Sequence, residues 1–122
     1  VQAVRDLQDR FIGEVGASAW NGIAAVRLCA ADGAALRHDL LTLVEGDVPV
    51  TSATRQPFNA FPPTVGAIVT DHGSFASHAA IMGREMGVPA VVGTVNATAR
   101  VSAGMLVRVD GDAGTVTIIG AQ

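Results

Sequence analysis

The chain has 122 residues with 8 basic and 11 acidic side chains, which gives a formal net charge of −3 at pH 7. All the basic residues are arginine and they are scattered along the chain, so no basic stripe is present that would bind nucleic acid or an anionic membrane surface. A hydrophobic fraction of 49% is sufficient for one closed core, and two independent domains are not expected at this length.

Cys29 is the single cysteine, which excludes an internal disulfide and a thiolate metal cluster and favours a cytoplasmic location. No run of about 18 apolar residues occurs, and charged side chains interrupt residues 1–15, so neither a membrane-spanning helix nor a secretory segment is expected. The first residue is Val1 rather than Met, from which we expect a segment of a longer polypeptide.

The first predicted element is a helix. Apolar residues recur at helical spacing in residues 1–15, which indicates a leading helix or linker before a domain of residues 16–122. Within that domain, the apolar run Gly22–Leu28 is bounded by turn residues and predicts a buried strand.

The middle of the chain predicts two more strands. The first is Val48–Thr51, where Pro49 implies a sheet edge or a strand end because proline donates no ladder hydrogen bond. Residues 51–63 are rich in proline, serine and threonine and predict a loop. The β-branched run at 65–70 then predicts an interior strand.

The next segment combines a loop of small residues with a short helix. The loop is Asp71–Ala76, and the helix-compatible stretch that follows begins after Ser77 and ends at Gly87, with Pro89 beyond it. Serine at the N-cap, glycine at the C-terminal end and proline just after it are the expected boundary residues of a short helix.

The remaining elements complete a mixed fold. Ala90–Val92 predicts a short buried strand, Asn96–Val101 a helical turn, and the alternating residues on either side of Asp110–Gly114 a hairpin. Strands outnumber helices and the helices fall between strands, so the predicted fold is a compact α/β domain of the β/β/α or mixed sandwich type.

His78 is the residue on which the predicted chemistry depends. It lies in the first turn of the predicted helix, at an exposed helix start where free N–H groups and the helix dipole favour an anion by about 0.3–1 kcal/mol per exposed charge. Ser74 and Ser77 add hydroxyl donors. Neutral imidazole is a nucleophile, so the pattern indicates a histidine that accepts a phosphoryl group beside a site able to hold its charge.

The segment GSFASHAAIMGREMGVPAVVGT at 73–94 closely resembles the signature of the phosphohistidine, or swivelling, domain of the PEP-utilising enzymes, a family that includes phosphoenolpyruvate synthase and rifampicin phosphotransferase. Further stretches also resemble the family, namely 45–50, 54–57, 67–73 and 104–116, so the resemblance covers about residues 16–119. The resemblance implies a swivelling β/β/α fold with His78 as the phosphorylated residue, and phosphate-loop support from Gly73, Ser74 and Ser77.

Two positions depart from the family pattern. Ser74 replaces the second loop glycine, which would restrict the backbone if the site needs a positive φ there. Gly83 replaces an alanine and weakens the helix by up to about 1 kcal/mol. Neither change removes the nucleophile.

The resemblance also implies how such a domain is used. An ATP-grasp nucleotide-binding domain would phosphorylate His78, and the phosphohistidine domain would then swing to an acceptor-substrate domain. Both partner domains are expected in the same polypeptide. ATP and Mg²⁺ would bind to those partner domains, with no cofactor or metal in this one. The isolated chain is therefore not expected to turn over alone.

Two alternative functions stay open at this point, and two kinds of site are disfavoured. The chain could instead resemble enzyme I, which is phosphorylated by phosphoenolpyruvate, or it could be a passive docking module, although the presence of His78 argues against the latter. A metal triad of Asp71, His72 and His78 is disfavoured because the spacing matches no usual ligand pair. A serine hydrolase is rejected because G-x-S-x-G is missing, and His72 is expected to be an exposed turn residue.

Overall fold

A computed structural model of the chain describes residues 10–17, 20–28, 39, 41–52, 65–74 and 77–120. The elements whose bounds fall in this part are the strands β1 (Arg10–Ile12), β2 (Glu14–Ala17), β3 (Trp20–Leu28), β4 (Val48–Thr51) and β5 (Ile68–Thr70), helix α1 (His78–Met86), strand β6 (Ala90–Val92), helix α2 (Ala97–Arg100), and strands β7 (Leu106–Asp110) and β8 (Thr115–Gly120).

These strands form one mixed sheet in the order β1, β8, β7, β3, β4, β5, β6, β2. Strands β3 to β6 are parallel to one another, whereas the strands on either side of them pair antiparallel. Strands β1 and β2 lie at opposite ends of this order, although only Gly13 separates them in the chain. The sheet therefore curves round until its first and last strands meet at Gly13.

Gly13 occupies a position where no side chain fits. Its N–H donates to the carbonyl oxygen of Gly114 at 2.8 Å, which ties the closure to the β7–β8 hairpin. A Cβ atom built on Gly13 would overlap the carbonyl oxygen of Val92 and would lie 2.7 Å from Cγ2 of Thr94. The chain can pass from β1 to β2 at this point only because the residue is glycine.

Strand alternation divides the core into two clusters, since successive side chains of a strand point to opposite faces. Val69 of β5 and Val91 of β6 face the inner cluster, whereas Ile68, Ala90 and Val92 face α1. The buried members of the inner cluster are Val26, Val48, Val50, Ala67, Val69, Val91, Ala97, Val101, Val107, Val109 and Val116. Strands β5 and β6 are thus buried on both faces, as is usual for parallel strands.

Most predicted elements are confirmed. The fold is mixed α/β. The structure contains the predicted strand at 48–51, the helix after Ser77, the strand at 90–92 and the final hairpin. The strand predicted at 22–28 begins two residues earlier, at Trp20, and the one predicted at 65–70 is limited to Ile68–Thr70. The loop predicted at 51–63 lies almost entirely outside the described residues.

One prediction is wrong, and one holds in only one of its two alternatives. The helix expected in residues 1–15 is replaced from residue 10 onward by β1 and β2, because their backbones pair with β8 and β6, partners that local spacing does not reveal; residues 1–9 lie outside the described part. Of the two positions predicted for Pro49, the strand end is confirmed and the sheet edge is not, since β4 pairs with β3 on one side and β5 on the other. Pro49 is instead the second residue of that strand, close to its beginning.

The closure at Gly13 leads to a stability prediction. Gly13→Ala should destabilise the protein by about 2–3 kcal/mol, because the added methyl group must displace β6 or the residues after it. Gly120→Ala is the matched control, since a Cβ there meets nothing within 4 Å. Urea denaturation of both variants measures the difference, and equal stability of the two would contradict the closure as described.

Candidate functional site

The residues after β4, β5 and β6 meet at one edge of the sheet, because the carboxyl ends of parallel strands lie side by side. Hydrogen bonds continue the strand pairing into this region. The N–H of Asp71 donates to the carbonyl of Thr51 at 3.1 Å, and the N–H of His72 donates to that of Ser52 at 2.9 Å. On the other side, the N–H of Val95 donates to the carbonyl of Asp71 at 2.8 Å. The start of the Asp71 loop is therefore held from both neighbouring strands.

The loop then turns into α1 through Gly73 and Ser77. Gly73 has a φ of 134°, and a Cβ there would lie 3.0 Å from Oγ of Ser77. The N–H and the hydroxyl of Ser77 both donate to the carbonyl of Ser74, at 2.9 and 2.7 Å. The close approach and the left-handed backbone both require glycine at position 73.

The restriction considered for Ser74 does not arise. Val95 is the one non-glycine residue with a positive φ in the part of the chain that the structure describes, so the φ of Ser74 is negative. Its side chain is exposed, and its carbonyl accepts both bonds from Ser77. The unusual backbone geometry of this loop is at Gly73, where the sequence retains glycine.

Ser77 is the N-cap of α1, as predicted, and His78 is the first residue of the helix. Ser77 has an extended backbone, and its carbonyl accepts the N–H of Ile81 at 3.0 Å. Its hydroxyl makes no capping bond to the helix and donates to Ser74 instead. In this arrangement the Ser77 hydroxyl would have to rotate before it could donate to an anion at the helix start.

His78 is less accessible than the sequence indicated. The residue is partly buried, its Nε2 atom is fully buried, and no hydrogen bond to Nε2 is found among the described residues, although other atoms of His78 do interact. The expectation of an exposed helix start is therefore wrong for this nitrogen. A reactant reaches Nε2 only if neighbouring groups move aside, unless the other ring nitrogen reacts.

Helix α1 is held against the sheet by its smallest residues. Ala79, Ala80 and Gly83 are buried, and the two alanines pack in the cluster that contains Ile68 and Val92. Gly83, which departs from the family pattern, therefore lies at the close contact between helix and sheet rather than on the exposed face. His78 is on a different side of the helix from these three residues, by helical angle.

The helix also ends as predicted. Gly87 has a left-handed φ of 72° and donates its N–H to the carbonyl of Gly83, which also accepts the N–H of Val88 at 3.0 Å. These bonds satisfy a carbonyl that the last turn leaves without a partner within the helix. Both ends of α1 are thus defined, so the register of the helix, and with it the position of His78, is determined.

Asp71 is a structural residue of the site that sequence reasoning missed. Asp71 is 7% exposed, and its carboxylate accepts the N–H of Thr98 at 2.9 Å and the hydroxyl of Thr98 at 2.6 Å. It thereby satisfies a free N–H in the first turn of α2 and joins that helix to the loop before His78. The two residues are 27 positions apart, so no local pattern signals the pair.

The structure gives no support for a metal triad. No group of three or more His, Cys, Asp or Glu side chains that could hold a metal ion is present among the described residues, and the Asp71 carboxylate is bound to Thr98. His72 is exposed, its backbone N–H donates to the carbonyl of Ser52, and its own carbonyl accepts the hydroxyl of Thr70. In the same part of the chain, no helix is long and apolar enough to cross a membrane.

The family model of the mobile domain of PEP-utilising enzymes matches residues 43–114, which is more than half of the chain and includes the whole Asp71 loop and α1. Phosphoenolpyruvate synthase of Aeropyrum pernix is 50% identical over 72 residues, 59% of this chain and 9% of that protein. An uncharacterised phosphotransferase of Bacillus subtilis is 43% identical over 74 residues, 61% of this chain and 9% of that protein.

A third relative, chondramide synthase of Chondromyces crocatus, is 47% identical over 81 residues, 66% of this chain but 2% of that protein. Among solved structures, Enzyme I is 39% identical with a TM-score of 0.59, over 66% of this chain and 33% of that one. Aconitase X of Thermococcus kodakaraensis has a TM-score of 0.65 at 16% identity, over 90% of this chain and 98% of that one, a likeness of fold alone. The chain matches only a small part of each of these curated relatives.

The Asp71–Thr98 pair leads to a second stability prediction. Asp71→Ala should destabilise the protein by about 2–3 kcal/mol, because it removes two hydrogen bonds and leaves the N–H of Thr98 without its acceptor. Asp71→Asn retains an oxygen for that N–H and should cost about 1 kcal/mol. Chemical denaturation of both variants checks the order. Two variants as stable as the unmodified protein would show that the pair does not hold the loop.

Proposed function

This chain belongs to the family of mobile domains of PEP-utilising enzymes, and from that premise we propose that it carries a phosphoryl group on His78 between two active sites of a larger phosphotransferase. Its relatives include phosphoenolpyruvate synthase and an uncharacterised phosphotransferase. The observation that carries the proposal is the position of His78, the first residue of a nine-residue helix that follows directly on a glycine-containing loop.

The helix start is suited to the phosphorylated state. The N–H groups of the first turn have no partner within the helix, and together with the helix dipole they stabilise negative charge. A phosphoryl group on the imidazole adds close to two negative charges at that point. The hydroxyl groups of Ser74 and Ser77 lie in the same loop and would donate to its oxygens once the Ser77 hydroxyl turns away from Ser74.

The proposed reaction has two transfers. A ring nitrogen of neutral His78 attacks a phosphorus atom of the donor, so that an N–P bond forms while the bond from that phosphorus to the leaving oxygen breaks. In the second transfer, an acceptor oxygen attacks the same phosphorus and the N–P bond breaks, which restores neutral imidazole. The nitrogen lone pair makes the first bond and receives its electrons back in the second.

The donor in this proposal is ATP, bound by an ATP-grasp domain, with Mg²⁺ held there and at the acceptor-substrate domain. We place these domains in the same polypeptide and the enzyme in the cytoplasm, where ATP is available. Phosphoryl transfer depends on positioning and on cations around the phosphates. This domain contributes the nucleophile and the helix start, and we expect the isolated chain to show no turnover.

A second candidate keeps the carrier chemistry and changes the donor. The 39% identity to Enzyme I favours a protein that takes its phosphoryl group from phosphoenolpyruvate. The two candidates are separated by incubating the full-length enzyme with γ- or β-labelled ATP and, in parallel, with labelled phosphoenolpyruvate. Labelling of the protein by ATP alone supports the ATP-dependent carrier. Labelling by phosphoenolpyruvate, with no phosphorylated acceptor formed, supports the carrier that uses phosphoenolpyruvate as its donor. No label on the protein from either donor would leave only a passive docking module.

Replacing the two histidines of the site gives the third prediction. His78→Ala should abolish phosphoryl transfer in the full-length enzyme, because it removes the nucleophile, whereas His72→Ala should slow transfer by less than about tenfold, since the His72 ring is exposed in the loop. Steady-state assays with both variants measure the difference, and their thermal midpoints show whether each has folded. Equal losses would mean that His78 is not the sole nucleophile.

A further inference from the structure

Val95 has a backbone conformation that valine rarely adopts. Its φ is 76°, and it is the single non-glycine residue with a positive φ in the described ranges. A β-branched side chain is strongly disfavoured in this left-handed region, where glycine or asparagine is the usual residue. The Val95 side chain is also 75% exposed, so it contributes little to the core in return.

The residues around Val95 impose this conformation. Its own N–H donates to the carbonyl of Asp71 at 2.8 Å. The preceding residue, Thr94, is buried and donates to the carbonyl of Thr70 through its N–H at 3.2 Å and its hydroxyl at 3.0 Å. The Thr94 hydroxyl also accepts the N–H of Ala97 at the start of α2. These contacts over-determine the turn, which is how an unfavourable conformation persists in a folded protein.

The turn presents Val95 beside the loop that leads to His78. Val95 follows β6, and its hydrogen bond to Asp71 places it against the residue where that loop begins. A protein surface that approaches His78 along this edge of the sheet therefore encounters an exposed isopropyl group. Strain retained near a functional site, with no gain for the core, is typical of a residue kept for an intermolecular or interdomain contact.

We propose that Val95 is an apolar contact of this domain with the domain that phosphorylates His78. This proposal rests on the function proposed above. The phosphoenolpyruvate synthase that this chain resembles is about eleven times longer than the matched stretch, which is 9% of it, so further domains of such an enzyme are the natural occupant. Because the Val95 side chain is aliphatic and uncharged, the surface that receives it is an apolar recess rather than a charged one.

The experiment compares three substitutions in the full-length enzyme. Val95→Gly and Val95→Asn remove the isopropyl group and relieve the backbone, whereas Val95→Ile keeps a branched aliphatic side chain and the unfavourable conformation. The matched control is Ile119→Ala, which removes an apolar side chain from a residue that is 41% exposed and lies on β8, a strand that does not pair with β6. For each variant, the thermal midpoint of this domain and the rate of donor-dependent labelling of His78 are measured below donor saturation.

The proposal predicts opposite changes in stability and labelling. Val95→Gly and Val95→Asn should raise the thermal midpoint by about 2–5 °C yet slow labelling by about tenfold, as expected for loss of an apolar contact at an interface. The labelling rate of Val95→Ile should lie within about twofold of that of the unmodified enzyme, and Ile119→Ala should be labelled at the same rate as the unmodified enzyme.

Three results would overturn the proposal. If Val95→Gly and Val95→Asn are labelled as fast as the unmodified enzyme, Val95 makes no such contact. If Val95→Ile is slowed as much as Val95→Gly, the contact does not depend on an aliphatic group. If labelling is unchanged while delivery to the acceptor is slowed, the contact is with a different domain. Failure to label His78 in the unmodified enzyme would instead overturn the proposed function.

Discussion

The position of His78 depends on the pairing of β5 between two parallel neighbours and on its continuation beyond the strand end. Backbone bonds from Asp71 and His72 to the end of β4, and from Val95 to Asp71, continue the strand pairing into the first residues of the loop. The Asp71 carboxylate adds α2 to the same assembly through Thr98. The first residues of this loop are thus held in one conformation, which lowers the entropic cost of placing a nucleophile.

The closure of the sheet also fixes β6, the strand that precedes the turn at Val95. Strand β2 pairs with β6, and the chain reaches it from β1 through Gly13, whose missing side chain leaves room for Val92 and Thr94. The same Thr94 anchors the turn that presents Val95. Strand β6 lies between β5 and β2. A side chain added at Gly13 would therefore displace β6 and with it the edge of the sheet where the loop to His78 begins.

Local signals were sufficient to predict the helix that carries His78. Ser77, Gly87 and Pro89 mark its ends through backbone requirements that belong to single positions, and the alternation of short apolar runs correctly indicated several strands. Contacts that depend on strand order could not be predicted. Residues 10–15 have apolar side chains at a helical spacing, and only the pairing with β8 and β6 makes them strands.

The same limit applies within the site. Asp71 and Thr98 are distant in the chain, so their contact requires the parallel sheet that brings α2 beside the loop. The burial of Nε2 of His78 likewise depends on tertiary packing, whereas the position of His78 at the helix start depends on its immediate neighbours. The left-handed backbone of Val95 is contrary to the preference of valine and is imposed by bonds to Asp71 and around Thr94.

Whether His78 carries the phosphoryl group is tested most directly by mapping the phosphorylated residue and by measuring how the stability of the label depends on pH. The full-length enzyme is incubated with its phosphoryl donor, digested under alkaline conditions, and the modified peptide is identified by mass spectrometry before and after brief acid treatment. We expect a label on His78 that survives mild alkali and is lost in acid, because a protonated phosphoramidate nitrogen is a good leaving group. An acid-stable label on Ser74 or Ser77 would contradict it.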